Sequence, residues 1–250
     1  MKLIDNPKGN YRFLTGIAPY SAGVVAMSGH EIVHATVRRP LPYRDGFDLI
    51  DQQLASLGLP RQSLCAIELR SPKPMVFDGF TEFNAGYQEL LTEWDLLVDG
   101  QNPIARTNVA PELRPPTEPS LHAFSYAIPN PGAGPSFVAA GCGEITPDDL
   151  RPEAIVRFGE TSDEALRDKA AFVMEHMDAR VRGLEGAWSD VTTVDVYTVH
   201  PLQALLADVL LPRMEPSAIN SVEWCYSRPP ILDIEFEMDL RAVRHEIRIG

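Results

Sequence analysis

Apolar positions along this chain change their spacing several times, and each change marks an element. Val33, Ala35 and Val37 alternate with polar residues, as in a strand half-buried in a sheet. The small apolar run at 20–27 precedes it, with Ser28-Gly29-His30-Glu31 between, so the two segments predict a β-hairpin. Phe47, Leu49, Ile50, Leu54 and Leu57 then recur at helical spacing until Gly58 and Pro60 stop the helix. Residues 63–71 read as a buried strand. Phe80, Phe83, Tyr87, Leu90, Leu91 and Trp94 mark a second helix, and residues 104–110 and 121–128 two more strands. The order is ββαβαββ.

Pro129-Asn130-Pro131-Gly132-Ala133-Gly134-Pro135 is the most linker-like segment, and it divides the chain into 1–129 and 130–250. After it come a strand at 137–140 and a long helix through Ala171, Val173, Met174, Met177 and Val181. Thr161 is the expected N-cap, with Glu164 three residues on. A β-branched strand at 191–199, a helix at 202–214 and strands at 221–226 and 231–239 complete a second, similar order, in which no first strand is evident. Strands that alternate with helices and close in hairpins predict an α+β fold of mixed sheets with helices on one face. Each sheet's other face needs cover, which packing the sheets into a closed ring would supply.

A net charge of −13, from 22 basic and 35 acidic residues, argues against a nucleic-acid partner, because a phosphate backbone needs a basic face. Cys65, Cys142 and Cys225 form no CxxC pair, which fits a reducing compartment. The first residues lack the apolar stretch of a signal peptide and no apolar run reaches membrane length, so a cytoplasmic protein without membrane partners is expected.

Asn102-Pro103-Ile104-Ala105-Arg106-Thr107-Asn108-Val109 is a proline-paced turn that delivers one arginine to the start of a strand. A guanidinium held there suits bidentate capture of a small carboxylate. The corresponding stretch of the second half, Ser217-Ala218-Ile219-Asn220-Ser221-Val222, has no arginine. His122 sits in an alternating strand and is as easily a structural histidine as an acid–base group. Tyr20 is a hairpin residue with a hydroxyl for a wet cleft. Asp233, Glu235, Glu237 and Asp239 share one strand face. Cys142 reads as an inert thiol, and Arg241 to His245 as a frayed basic end. His30 and His34 lack a third ligand, and Gly132 to Gly134 lack phosphate-loop spacing, so neither a metal nor a cofactor is expected.

With those elements placed, the chain resembles the RidA/YjgF (reactive intermediate deaminase) family, as a tandem of two copies. Ala18-Pro19-Tyr20-Ser21 is similar to the family's Gly-Pro-Tyr-Ser, and residues 102–109 to its Pro-Ala-Arg-Ser-x-Val. In the second half Phe137 to Gly141, Trp188 to Val191, Val222-Glu223 and Ile234 to Glu237 carry the resemblance. It implies ββαβαββ domains assembled into a sheet-lined barrel, with clefts between neighbours that hydrolyse enamines or imines to keto acids and ammonia. Carried over by position, Arg106 would clamp the substrate carboxylate and Tyr20 would line the cleft. The family's water-placing glutamate falls on His122 in the first half and on Glu235 in the second. The expected function is therefore a deaminase of a small carboxylate-bearing imine, enamine or amino-dienoic acid, in a homo-oligomer, trimeric or dimeric. A non-catalytic metabolite-binding protein is the alternative. So is a hydrolase or lyase of a cyclic carboxylic acid, since the chorismatases also join two such units.

Overall fold

The structure is a computed structural model that describes residues 1–147, 149–214 and 222–250. In chain order the first elements are β1 (Leu3–Asn6), β2 (Tyr11–Leu14), β3 (Gly23–Ala26), β4 (His30–Pro42), α1 (Tyr43–Ser56), β5 (Leu64–Arg70), α2 (Phe77–Glu93), β6 (Ala105–Pro111) and β7 (Ser120–Pro129). Then follow β8 (Phe137–Gly143), α3 (Asp163–Gly183), β9 (Thr193–Tyr197), α4 (Gln203–Leu205), β10 (Val222–Cys225), β11 (Ser227–Arg228), β12 (Glu237–Ala242) and β13 (His245–Ile249). Two mixed sheets result, in the orders β1-β2-β3-β8-β12-β9-β10 and β11-β6-β5-β7-β4-β13. The α+β expectation with mixed sheets is met.

Each sheet carries helices on its outer face. Phe47, Ile50 and Leu54 of α1 and Tyr87, Leu90 and Leu91 of α2 pack with Val33, Ile67 and Phe124 of the six-stranded sheet. Val173, Met174, Met177 and Val181 of α3 pack with Phe137, Val194, Met238 and Leu240 of the seven-stranded one. The inner faces meet through Tyr11, Phe13 and Val24 on one side and Ile32, Cys65, Ala66 and Ala105 on the other. Burying those faces against each other removes from water the apolar surface that either sheet alone would expose.

The predicted hairpin of 20–27 with 32–38 does not form. β3 lies between β2 and β8, whereas β4 pairs with β7 over most of its length. Gly29, at φ +78°, turns the chain out of one sheet and into the other, a conformation a side chain would oppose. Strands therefore cross between the halves: β1 to β3 complete the sheet of β8 and β12, while β13 runs parallel to β4. The basic segment at 241–245 is likewise no frayed end. Arg241 is buried in β12 and donates to Asp195 at 2.5 Å.

Three boundaries also differ from expectation. Ser162, not Thr161, caps α3, its hydroxyl accepting from the Ala165 N–H at 3.2 Å. The helix expected over 202–214 is the short α4 followed by a π-type stretch, Leu206–Leu210. The strand expected from 231 begins only at Glu237, because Asp233 adopts φ +69° and breaks the alternation. Residues 217–221, where the second half lacks an arginine, fall outside the described residues.

Candidate active site

The site lies where β6 of one sheet runs against β8 of the other. Their backbones approach closely at Gly141, where an added Cβ would stand 3.2 Å from the Thr107 Cα and would collide with the Glu237 Oε1. Beside this crossing opens a cavity of about 320 Å³. Arg106, Asn108, Tyr20, Glu237, Cys142, His176 and Arg180 line it, together with Ile17, Phe80, Ile145, Ile231 and Ile234.

The turn before β6 fixes Arg106. Asn102 donates Nδ2–H to the Pro19 carbonyl at 2.7 Å and accepts the Ile104 N–H at 2.9 Å. Ser21 donates its backbone N–H to the Ile104 carbonyl at 2.9 Å and its hydroxyl to that of Pro103 at 3.1 Å. Residues 19–21 are thereby stapled to the turn, and Tyr20 sits with its ring centroid 4.8 Å from the Arg106 Cζ. The rings of Tyr87 (4.7 Å), Phe83 (5.6 Å) and Phe80 (5.9 Å) complete an aromatic box around the guanidinium. Its Nη2 donates to the Asn84 Oδ1 at 2.6 Å, and its Nη1 is buried without a partner. Two residues on and on the same strand face, Asn108 accepts from Ser71 at 2.9 Å and leaves its own Nδ2 unpartnered. Native proteins rarely bury unsatisfied donors, and here two of them belong to residues that line one cavity.

Glu237 lines the same cavity and is 4% exposed. Burial, reinforced by Glu144, pushes its carboxyl up to about 8, although Arg180, Arg106 and Arg70 pull the other way. It is therefore mostly a neutral acid at pH 7. Glu144 and Lys169 (3.1 Å), both fully buried, hold the segment before it: the Glu144 carboxylate accepts the N–H groups of Glu235 at 2.6 Å and Phe236 at 3.0 Å. Burial also raises the Tyr20 phenol and the Cys142 thiol, which keeps both protonated near neutrality.

From the other wall α3 contributes His176 and, one turn on, Arg180. His176 donates Nδ1–H to the Phe172 carbonyl at 3.0 Å, which leaves Nε2 unprotonated in the neutral ring. Arg180 donates Nη1–H to the carbonyls of Ala140 (2.6 Å) and Gly141 (3.1 Å).

A sequence profile of the 2-aminomuconate deaminase family CnbZ matches residues 3–247. The chain is also 39% identical over 243 residues to a 2-amino-5-chloromuconate deaminase of Comamonas testosteroni, an alignment that covers 96% of each protein. The chain belongs to the CnbZ family. Its fold is similar to that of a chorismatase crystal structure, with a TM-score of 0.54 and 14% identity over 89% of this chain and 77% of that one.

Within this CnbZ family member the predicted site residues separate into two groups. Arg106 and Tyr20 meet in the cavity. His122 and Glu235 do not line it. Burial, followed by the Arg70 charge, pulls His122 down to about 4, and the groups that act on it include Glu68, Arg70 and His34, none of which lines the cavity. The His34 Nε2 contacts Glu68 at 2.8 Å, and burial alone would raise Glu68, but His34, Arg70 and His122 together hold it well below the ordinary carboxylate range. Glu235 pairs with His200 at 2.8 Å. The cavity instead takes Glu237, Asn108, His176 and Arg180, with Asn84 behind Arg106. Arg180 did leave a signal. Leu166, Lys169, Val173, Met177, Arg180 and Leu184 follow one helical stripe, so a lysine and an arginine occupy core-facing positions.

Proposed function

We propose that this chain catalyses hydrolytic deamination of an aminomuconate-type dienoic acid, releasing ammonia and a 2-oxo acid. The observation that carries this reading is the buried, half-satisfied Arg106 guanidinium in the wall of a cavity it shares with a carboxyl held protonated near neutrality. Membership of the CnbZ family supports it, as does the aminochloromuconate deaminase relative.

In this reading the substrate carboxylate next to the amino carbon docks on Arg106 Nη1 and Asn108 Nδ2. Its charge offsets that of Arg106, one of the influences that pull Glu237 down, so binding favours the acid form. The Glu237 carboxyl gives its proton to the far carbon of the enamine system, and the amino nitrogen's lone pair forms a C=N bond. Water then adds to the carbon of that C=N bond, the one bearing nitrogen, and the Glu237 carboxylate takes the proton the water releases. When the C–N bond of the resulting aminoalcohol breaks, its hydroxyl proton passes to the departing nitrogen, which leaves as ammonia while a C=O bond forms. One water is consumed and one ammonia released. Tyr20 supplies a hydroxyl that stays neutral, and the isoleucine walls keep bulk water from the cationic intermediate.

Two RidA-like halves, each lending strands to the other's sheet, would share a single composite cleft, and such chains would assemble as homo-oligomers with barrel-like packing. Cytoplasmic residence accords with three free thiols. Among the described residues no helix is long and apolar enough to cross a membrane.

The test is to supply 2-aminomuconate and follow loss of the dienamine absorbance together with ammonia. Turnover by wild type and a rise of KM by ten-fold or more in Arg106→Ala are expected, from the roughly 1.5–3 kcal/mol of a charge-assisted hydrogen bond. Wild-type kinetics in Arg106→Ala would remove the assignment. Thermal stabilisation by the substrate without ammonia would leave a binding protein.

A further inference from the structure

The buried arginines differ in one respect that the deaminase reading does not use. Three are buried among the described residues: Arg106, Arg180 and Arg241. Arg241 has carboxylate partners, Asp195 at 2.5 Å and Glu246 at 2.8 Å. Arg106 and Arg180 have none within 4 Å among the described residues, and these two line the same cavity. A buried cation without a counter-charge is costly, and a chain with 35 acidic residues had material to neutralise both. The walls of this cavity therefore hold two guanidiniums, and the one carboxyl that lines it, Glu237, stands more than 4 Å from both.

Arg180 is also placed to reach a ligand. Its Nη1 is held by two β8 carbonyls, which orients the fork, while Nε and Nη2 have no protein acceptor among the described residues. It stands on α3 and Arg106 stands on β6, so the two guanidiniums face the cavity from different elements. Tyr20 and Glu237 each feel both charges. Ile145, Ile231 and Ile234 line the same space and suit a flat hydrocarbon chain.

We propose that Arg180 is a second carboxylate anchor, so that the cavity selects a dianion with a carboxylate at each end of an unsaturated chain over the matching monocarboxylate. This rests on the deaminase reading for the orientation of the substrate: Arg106 holds the end that reacts, and Arg180 holds the remote end. Arg180 is thus a specificity-determining residue, outside the proton-transfer steps.

Two unreactive probes test it without turnover: hexa-2,4-dienedioate, with two carboxylates, and hexa-2,4-dienoate, with one. Binding is measured by titration calorimetry on the full chain. Wild type is expected to prefer the dicarboxylate by at least thirty-fold. Arg180→Gln should lose ten-fold or more in affinity for the dicarboxylate and change less than three-fold for the monocarboxylate, whereas Arg106→Gln should weaken both. Equal affinity of wild type for the two probes overturns the proposal whether or not any variant folds. A uniform loss for both probes in Arg180→Gln also overturns it, since that is the behaviour of a purely structural staple between α3 and β8. Because these readouts need no ammonia release, the second anchor can stand even if deamination is not observed.

Discussion

Replacing Glu237 with glutamine keeps the shape of the side chain and removes its proton. The structure sets the size of the effect. A carboxyl that titrates near 4.5 in the unfolded chain and at about 8 in the fold binds its proton more tightly when folded. Its contribution to stability is complete below pH 4.5 and is lost as pH rises through about 8. Each pH unit in that window is worth about 1.4 kcal/mol, which sets an upper limit of roughly 5 kcal/mol; water entering the cavity reduces it. Glu237→Gln should therefore match wild type in stability at pH 4.5 and exceed it by about 2–4 kcal/mol at pH 9, roughly 5–15 °C in Tm for a chain of this length. The same variant should lose about 10²–10⁴ in kcat as general acid–base catalysis disappears, and wild-type kcat/KM, which reports the free enzyme, should fall along an alkaline limb near pH 8. Thermal melts at several pH values and steady-state deamination check both parts. A stability difference that does not vary with pH, or a variant within five-fold of wild-type kcat, would refute the assignment of Glu237 as a buried neutral acid.

Two further outcomes follow from the packing around that carboxyl. Gly141→Ala places a methyl group against the Glu237 Oε1 and tight against β6; kcat should fall at least ten-fold while KM changes less, measured by the same assay. Lys169→Met removes the partner of the fully buried Glu144 and should cost about 3–5 kcal/mol in urea unfolding. Adding Glu144→Gln to it should restore part of that loss, because no uncompensated charge then remains.

Where the apolar period was long, the sequence was readable. α1, α2 and α3 lie on the spacings of Phe47 to Leu54, Phe80 to Leu91 and Val173 to Val181. The turn before Arg106 could be read because Asn102 and Pro103 act within a few residues of it. β1 and β2, four residues each, carry too few alternations to register. Strand partners are opaque for another reason: β3 and β4 are adjacent in the chain, yet β3 joins β8 on one side and β4 joins β7, both more than 75 residues away. Glu237 does not stand out in the sequence, because the alternation from 231 to 239 puts four acids on one face. Asp233 leaves that pattern through its positive φ, and nothing in an Ile-Leu-Asp-Ile run announces it.

The lending of strands between the two halves limits how this chain can be divided. A fragment ending at residue 129 would carry β1 to β3 with no β8 to receive them, and would expose the β4 edge where β13 docks. The remaining fragment would hold Glu237 and Arg180 but not Arg106. Each piece would display open ladder edges that invite aggregation. Activity from separately expressed pieces should return only when both are refolded together, so a gene split at this linker would behave as an obligate two-component enzyme.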